Sequence, residues 1–301
     1  MRRIAVSGSS GLVGRALVPW LRAAGDEVVR LVRRPAVADD ELQWQPETGL
    51  VDRVEWRRCD AVVHLAGANL ADGRWTPARK QLIQASRVTG TATLARVLAQ
   101  DREGPQVWVS ASAVGFYGNR GDEWLDEASG PGTGFLAEVC RDWERATAPA
   151  QAAGIRVVNL RLGVVLAREG GALGQMLPAF RWGAGAVIGD GRNWLSWIGR
   201  KDLCRCILFA ITDAALSGPV NAVAPTPVQS GEFAHCLGHV LGKPARLRLP
   251  APLARLALGE MAESTILASQ RVRPAALARA GFSFGDPVLA TALEKALGRT
   301  S

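Results

Sequence analysis

The stretch RIAVSGSSGLVGRALVPWLRAAG, residues 3–25, decides the fold class of this 301-residue chain. Its first part, 3–8, is a short apolar run that ends in glycine and is typical of a strand. Its last part, 12–25, has apolar residues at helical spacing. The glycine-rich turn GSSGLVG, 8–14, joins the two. A strand, a glycine-rich turn and a helix in this order predict a βαβ unit that binds a dinucleotide.

Each glycine of the turn has its own physical task. Gly8 permits the tight turn, Gly11 lets the backbone approach a pyrophosphate, and Gly14 lets the helix pack closely on the strand. The unpaired N–H groups at the beginning of the helix then face the anionic ligand. We therefore predict that the cofactor is held by Gly8, Ser9, Ser10, Gly11, Leu12, Val13 and Gly14.

The end of the second predicted strand, 27–34, indicates which dinucleotide binds. This strand ends in Val32, Arg33 and Arg34, without an aspartate or glutamate among them. An acidic residue here would hold the ribose 2′-hydroxyl of NAD, whereas arginine accommodates the 2′-phosphate of NADP. The sequence therefore predicts NADP(H) rather than NAD(H). The alternative is that both arginines are simply solvated at a strand end.

Strands and helices continue to alternate along the first half of the chain. Further strands are predicted at 59–67, 106–110 and 155–163, and helices at 77–100 and 135–154. The stretch from 35 to about 56 is polar and is predicted to be loop with short elements. The alternation predicts the α/β class, with a Rossmann-type doubly wound parallel sheet and a smaller C-terminal substrate lobe.

The regular alternation fades near residue 164, which suggests a domain boundary. We assign 1–165 to the NADP-binding Rossmann core, with further core elements in about 195–225. The smaller substrate lobe is predicted to span 166–301.

The composition excludes several classes of function. The net charge is +8, but all except four of the 36 lysines and arginines are arginines, and they are scattered along the chain. No basic stripe alternates with aromatic residues, so we predict no nucleic-acid partner. No apolar run approaches the roughly 20 residues that span a bilayer, so we predict no membrane partner. The N-terminus begins as a strand rather than as a targeting segment, which favours a cytoplasmic protein.

The five cysteines fit neither a disulfide framework nor paired zinc ligands, so we expect reduced thiols. The one metal-like cluster is His235, Cys236 and His239, whose histidines lie four residues apart on one face of a predicted helix. Because no other group of metal ligands accompanies them in the sequence, we predict no metal site.

Several longer stretches carry a resemblance to a known family. They are GSSGLVG at 8–14, VVHLAGANLADGRW at 62–75, SRVTGT at 86–91, VSASAVGFYG at 109–118, FLAEVCRDWE at 135–144, RLGVVL at 161–166, GDGRNWLSWI at 189–198 and the tail at 271–297. The chain resembles the extended short-chain dehydrogenase/reductases of the NAD-dependent epimerase/dehydratase superfamily. More closely, it is similar to the epimerase family proteins that end in a DUF1731-type domain, here at about 248–298.

The resemblance implies further site residues. It implies that the segment lining the cofactor is Leu65, Ala66 and Gly67. It implies that the strand end with the catalytic hydroxyl holds Ser110 and Ser112, of which Ser110 also contacts the cofactor. The segment that passes the nicotinamide is implied to be Leu162, Gly163 and Val164. One departure is Gly199, which stands where the family often has histidine in a Ser-Trp-Ile-His sequence. Any role tied to that histidine is therefore not expected here.

A second departure concerns the proton donor. In the superfamily this is the tyrosine of a Tyr-x-x-x-Lys motif at the start of the helix predicted from 135. With Glu144 marking the glutamate eight residues after that tyrosine, the pair here is Leu136 and Cys140. A shift by one residue supplies neither a hydroxyl nor an amine. The usual catalytic pair is therefore absent from this sequence.

Tyr117, the only tyrosine of the chain, does not occupy the motif. It could serve as a recruited donor, or it could be a buried aromatic residue whose hydroxyl has a structural partner. Other candidate donors are Glu138, Cys140, Asp122 and Glu123, and water. The tryptophans at 75, 194 and 197 could line a substrate cavity or belong to the core.

Two functions follow from these observations. The first is an NADP(H)-dependent oxidoreductase or epimerase-like enzyme of atypical mechanism that acts on a small, unidentified substrate. Ser112, with Ser110, would bind the substrate oxygen, and Tyr117, a carboxyl group or water would supply the proton. The alternative is an NADP(H)-binding redox sensor or partner-binding protein with little or no turnover. The resemblance also suggests a homodimer.

Overall fold

A long alternation of strands and helices follows the N-terminal glycine turn. The computed structural model of the protein describes residues 1–51, 53–101 and 103–299. Up to residue 145 the elements are β1 (Arg3–Ser7), α1 (Gly14–Ala23), β2 (Glu27–Val32), β3 (Glu41–Gln45), β4 (Leu50–Val51), α2 (Arg53–Arg57), β5 (Ala61–His64), α3 (Pro77–Gln100), β6 (Val107–Ala113), β7 (Trp124–Leu125) and α4 (Phe135–Arg145).

The second half of the chain has shorter strands between its helices. Its elements are α5 (Ala148–Ala152), β8 (Arg156–Leu162), β9 (Val164–Leu166), α6 (Gly171–Arg181), β10 (Ala186–Ile188), β11 (Trp194–Leu195), β12 (Trp197–Gly199), α7 (Arg200–Thr212), β13 (Gly218–Ala222), β14 (Val228–Gln229), α8 (Ser230–Leu241), β15 (Leu247–Leu249), α9 (Ala251–Leu258), β16 (Arg271–Val272), α10 (Ala275–Arg279) and α11 (Leu289–Leu297).

The central sheet has the strand order β13-β8-β6-β5-β1-β2-β3-β4. Seven of its strands form a large parallel sheet with flanking helices, and β4 pairs with β3 in the antiparallel direction. The chain moves outward from β1 to β3 on one side and from β5 to β13 on the other, so the order reverses between β1 and β5. Such a reversal is the point where doubly wound sheets bind their ligands. The predicted Rossmann-type fold is confirmed.

The strand register brings three polar residues into one row. Ser7 at the end of β1 pairs with His64 at the end of β5, and His64 pairs with Ser110 in β6. Because parallel strands end at the same edge of a sheet, these residues mark its carboxyl edge. The row therefore lies where the predicted cofactor segments begin.

A large apolar cluster covers the sheet. It includes Trp56, Trp108, Leu94, Leu98 and Ile155, all of them almost completely buried. Removing a large side chain from such a core costs roughly 3–5 kcal/mol of stability. This packing provides a rigid base for the segments at the ends of the strands.

Two stretches add detail to the prediction. The predicted helix 135–154 is divided into α4 and α5, because Pro149 lacks the N–H group that would continue the helical hydrogen bonds. The stretch 35–56, predicted to be loop with short elements, contains such elements, and one of them, β3, joins the central sheet. The five residues of β3, ELQWQ, alternate polar and apolar side chains, which is the pattern of a half-buried strand, although the run is short.

The chain divides into two compact units. Unit 1 contains Met1–Ser112, Val139–Leu160 and Cys204–Val220, and unit 2 contains the segments between and after them. Residues 113–138, counted in the core by the sequence-based boundary, thus belong to unit 2. Residues 204–220, which lie within the predicted further core elements, belong to unit 1.

Unit 2 is built from paired short strands and helices. The strand pairs are β9 with β12, β10 with β15, β11 with β14 and β7 with β16. Its core includes Leu173, Phe180, Phe233, Leu237 and Leu293. In the described parts of the chain, no helix has the length and apolar character needed to cross a bilayer.

Candidate functional site

The turn between β1 and α1 has no room for side chains at its glycines. Gly8 has a φ of +68°, and a Cβ atom there would lie 2.8 Å from the carbonyl carbon of Leu65. A Cβ atom on Gly14 would lie 2.3 Å from the carbonyl oxygen of Gly8. The amide of Gly11 donates to that same oxygen at 2.9 Å. The glycines are therefore required for the close packing of strand, turn and helix.

The beginning of α1 suits an anionic ligand. Val13 precedes the helix without a side-chain hydrogen bond to its N–H groups, and the first turn contains no acidic residue. Ser10 and Gly11 are exposed, and Arg15 donates from Nε to the Ser10 carbonyl at 2.6 Å. An uncapped helix N-terminus with an exposed glycine turn fits the pyrophosphate of a dinucleotide. Ser9 and Leu12 complete this turn.

The two arginines at the end of β2 have different surroundings. Arg34 donates to both carboxylate oxygens of Glu41 at 2.6 and 2.8 Å, and this pairing lowers the pKa of Glu41 to about 2. Arg33 is exposed and makes no hydrogen bond or ion pair with the described residues. Only Arg33 is thus unengaged at this strand end. Sequence reasoning did not find Glu41, which comes from the neighbouring strand.

The segment after β5 is held by α3. The amide of Ala68 donates to Ser86 Oγ at 3.0 Å, and the Ala68 carbonyl accepts from Arg87 Nη2 at 3.0 Å. Leu65 and Ala66 lie against Gly8, and Gly67 lies against the guanidinium of Arg87. The predicted cofactor segments around Gly8 and Leu65–Gly67 are therefore brought together in unit 1.

The row of polar residues across β1, β5 and β6 is closed to solvent. Ser7 Oγ lies 2.7 Å from His64 Nδ1, and burial lowers the pKa of His64 to about 4. His64 is therefore neutral at pH 7. Its Nε2 atom and the Ser110 hydroxyl have no hydrogen-bond partner in the described part of the chain. Ser110, predicted to contact cofactor and substrate, is completely buried in this row.

Ser112 has a partner that sequence reasoning missed. Its hydroxyl donates to Glu144 Oε1 at 2.7 Å. Glu144 lies on α4 at a spacing of four from Cys140 and of eight from Leu136, so the three positions share one helix face. This shared helix face was the sequence signal that could have indicated a functional role for Glu144. Ser112 is thus linked to a carboxylate on the helix whose positions 136 and 140 hold leucine and cysteine.

Tyr117 is occupied within unit 2. It is completely buried, and its hydroxyl lies 2.7 Å from Asn221 Oδ1 and 2.9 Å from the Asp126 carbonyl oxygen. Arg161 donates to the same hydroxyl at 2.9 Å. Burial raises the pKa of Tyr117 to about 12. These contacts oppose its predicted use as a proton donor and favour the structural alternative.

The other candidate donors in unit 2 are either bound to neighbouring side chains or exposed to solvent. Asp122 accepts from Trp194 Nε1 at 2.7 Å, Glu123 forms two hydrogen bonds with Arg120, and Glu138 is exposed. None of these contacts indicates a proton donor.

The segment 162–164 runs close to a neighbouring strand. A Cβ atom on Gly163 would lie 2.7 Å from the Ser196 carbonyl oxygen, to which the Val164 amide donates at 2.8 Å. Leu162 is the last residue of β8. In the same unit, the carboxylate of Asp202 accepts from the amides of residues 285 and 286, which gives it a structural task.

Unit 2 has a polar cavity of about 430 Å³ and a groove of about 760 Å³. The cavity is lined by Asn119, Asp190, Asn193, Arg255, Glu263 and Leu267. The groove is lined by His235, Cys236 and His239 among others. Within the described ranges, no group of three or more histidine, cysteine or acidic side chains is arranged to hold a metal ion.

Comparison with known proteins gives the family. The NAD dependent epimerase/dehydratase family matches residues 4–222, and a domain of unknown function, DUF1731, matches residues 249–296. An epimerase family protein of Mycobacterium leprae is 46% identical over 298 residues, which are 99% of this chain and 96% of that protein.

Solved structures agree with this assignment. Human epimerase family protein SDR39U1, crystallised with NADPH, is 31% identical with a TM-score of 0.90 and coverage of 99% and 100% of the two chains. A nucleoside-diphosphate sugar epimerase from Corynebacterium glutamicum is 40% identical with a TM-score of 0.80, over 99% of this chain and 58% of its own. The chain described here belongs to the NAD dependent epimerase/dehydratase family.

Proposed function

We propose that this protein is an NADP(H)-dependent oxidoreductase or epimerase-like enzyme that acts on a small substrate through Ser112 and Glu144. The hydrogen bond of 2.7 Å between these two side chains carries the proposal, because it joins a hydroxyl group at a strand end to a titratable group. The human relative crystallised with NADPH supports the choice of cofactor. A cytoplasmic location and a homodimer stay predictions.

Arg33 is the residue that would bind the 2′-phosphate of the cofactor. Its guanidinium is exposed and unengaged, whereas Arg34 is paired with Glu41. The pyrophosphate would lie at the uncapped beginning of α1. Glu41 is held by Arg34 and Arg30, so it is not free to select the ribose hydroxyl of NAD.

The proton chemistry would be carried out by Ser112 and Glu144. When bound, the nicotinamide ring accepts or supplies a hydride. During oxidation of an alcohol, Ser112 Oγ accepts the proton of the substrate hydroxyl and passes its own proton to the Glu144 carboxylate. During reduction the same two transfers run in reverse, so that the substrate oxygen receives its proton from Ser112. Glu144 is half-buried, which allows it to exchange that proton with water.

The cofactor is tested by calorimetric titration with NADPH and NADH. We expect wild-type protein to prefer NADPH by at least tenfold, about 1.4 kcal/mol. Arg33→Ala should remove most of this preference without changing NADH binding. Arg34→Ala is the matched control and should weaken NADPH binding less than threefold, because Glu41 keeps Arg30 as a partner. Equal losses in both variants, or no preference in the wild type, would refute the assignment of Arg33.

Turnover is tested by following NADPH oxidation with a panel of small aldehydes and ketones. For any substrate found, Ser112→Ala and Glu144→Gln should each lower kcat at least a hundredfold, the range expected for a lost acid–base group. Their NADPH affinities should remain within threefold of the wild type. Glu138→Gln, an exposed residue of the same helix, is the control. Tight NADPH binding without turnover of any compound would instead favour the sensor function.

A further inference from the structure

Arg87 on α3 is a cation without an acidic partner. Its Nη1 donates to the Ile83 carbonyl at 3.2 Å and its Nη2 to the Ala68 carbonyl at 3.0 Å. No carboxylate of the described residues forms an ion pair with it. Arginine stays protonated even where burial lowers its pKa, as it does here. A half-buried guanidinium whose hydrogen bonds to the described residues all go to carbonyl groups therefore keeps a positive charge that no carboxylate among them neutralises.

The charge lies beside a segment implied to contact the cofactor. A Cβ atom on Gly67 would lie 3.3 Å from the guanidinium carbon of Arg87, so the guanidinium lies directly beside this segment. Gly67 follows β5 at the carboxyl edge of the sheet, which is where doubly wound folds bind their ligands. The guanidinium has five N–H groups, of which the two carbonyl contacts use only a part.

The opposite side of the guanidinium faces α4. The carbon of the guanidinium lies 5.3 Å from the ring centroid of Trp143, a cation–π distance that orients the group. The helix that carries Glu144 therefore also borders this charge. Arg87, Gly67 and the Ser112–Glu144 pair all belong to unit 1.

A purely structural task accounts for only part of this arrangement. The Ala68 segment is already held by Ser86, and the neighbouring loop is held by a hydrogen bond from Arg79 to the Asn69 carbonyl. A neutral amide donor would satisfy the Ala68 carbonyl without the cost of partly burying a charge. The retained charge thus indicates an anionic ligand.

We propose that Arg87 binds an anionic oxygen of the substrate, a carboxylate, a phosphate or a developing oxyanion, beside Gly67. The inference rests on the proposed function, since it places that oxygen next to the bound cofactor. The inference limits the substrate class to compounds whose acidic group or carbonyl group would lie beside Arg87 and Gly67. The superfamily motif has a lysine at the position that Cys140 occupies on α4. Arg87 would then supply a positive charge at a site where this lysine is replaced by cysteine.

The test uses the NADPH-loaded full-length protein with oxalate and inorganic phosphate as probe anions. Their dissociation constants are measured from the change in NADPH fluorescence. Arg87→Gln should weaken the tighter-binding anion at least tenfold and leave the NADPH dissociation constant within threefold. Arg96→Gln removes an exposed arginine from the same helix and should leave both constants unchanged.

Three outcomes would overturn the inference. The first is an anion affinity that is the same in wild-type protein and Arg87→Gln, and the second is wild-type protein that binds neither anion. The third is a loss of NADPH affinity in Arg87→Gln as large as its loss of anion affinity. The last would assign the charge to the phosphates of the cofactor. If Arg87→Gln does not fold, Arg87→Lys is titrated with the same anions instead. We expect it to lose at least threefold in anion affinity while its melting temperature stays unchanged. Failure of wild-type protein to bind NADPH would refute the proposed function itself.

Discussion

Tyr117 and Ser112 show that the neighbours of a hydroxyl group decide what it can do. Tyr117 is buried between Arg161 and Asn221, and its raised pKa keeps it protonated at any ordinary pH. Ser112 has a much less acidic hydroxyl in isolation, yet it donates directly to the carboxylate of Glu144. A proton can leave or reach the second hydroxyl through that carboxylate. Our proposal therefore assigns the chemistry to Ser112 rather than to the single tyrosine.

His64 should make the stability of the protein depend on pH. Burial lowers its pKa from 6.5 to about 4, so between these values the unfolded chain binds a proton that the folded protein does not. The contribution is complete above pH 6.5 and is lost as the pH falls to about 4. By linkage it amounts to roughly 3 kcal/mol of the free energy of unfolding.

Urea unfolding at pH 7, 5.5 and 4.5 checks this expectation in wild-type protein and His64→Asn. The asparagine can retain a hydrogen bond to Ser7 but cannot titrate. The difference in free energy of unfolding between the two proteins should shrink as the pH falls. His235→Asn, at an exposed position, should run parallel to the wild type. Parallel curves for His64→Asn as well would show that His64 does not cause the dependence.

At the scale of elements, the β1–α1 turn is determined by local sequence, whereas the neighbouring strand β3 is not. Gly8 and Gly14 allow the turn because no other residue leaves enough space. Strand β3 pairs with β2, and its buried Glu41 is stabilised by Arg30 and Arg34 from that neighbouring segment. The five residues of β3 alternate polar and apolar side chains, but so short a run is a weak local signal when the stability of the strand depends on partners from another segment.

Gly14→Ala should therefore disturb both folding and cofactor binding. Its Cβ atom would meet the Gly8 carbonyl oxygen at 2.3 Å, and the backbone must move to relieve the overlap. We expect a loss of roughly 1–3 kcal/mol in the free energy of unfolding, as in other overpacked sites. NADPH affinity should fall at the same time, because the turn that would hold the pyrophosphate changes shape.

Urea unfolding and NADPH titration measure the two effects. Gly130→Ala is a matched control, since its Cβ atom would have no neighbour within 4 Å. It should change the free energy of unfolding by less than about 0.5 kcal/mol. Wild-type stability and affinity in Gly14→Ala would contradict the steric explanation.

At the scale of the whole molecule, the two units are interleaved along the chain. The chain leaves unit 1 after Ser112 and returns at Val139, so α4 begins in one unit and ends in the other. Unit 2 has its own core, to which the C-terminal helix α11 contributes Leu289, Leu293 and Leu297. The fading alternation suggested a boundary near residue 165 with further core elements in about 195–225, and it did not indicate that residues 113–138 belong to unit 2, because periodicity reports the local element rather than the contacts it makes.

The sequence by itself determined the class of fold, the glycine turn and the family. These depend on local spacing and on which residue stands at a given position. Only the tertiary structure paired Arg34 with Glu41, joined Ser112 to Glu144, and enclosed the Tyr117 hydroxyl between Arg161 and Asn221. Those outcomes depend on partners from other segments of the chain: Tyr117 and Asn221, for example, are 104 residues apart. A side chain's charge, protonation and access are set by such neighbours, which only folding brings together.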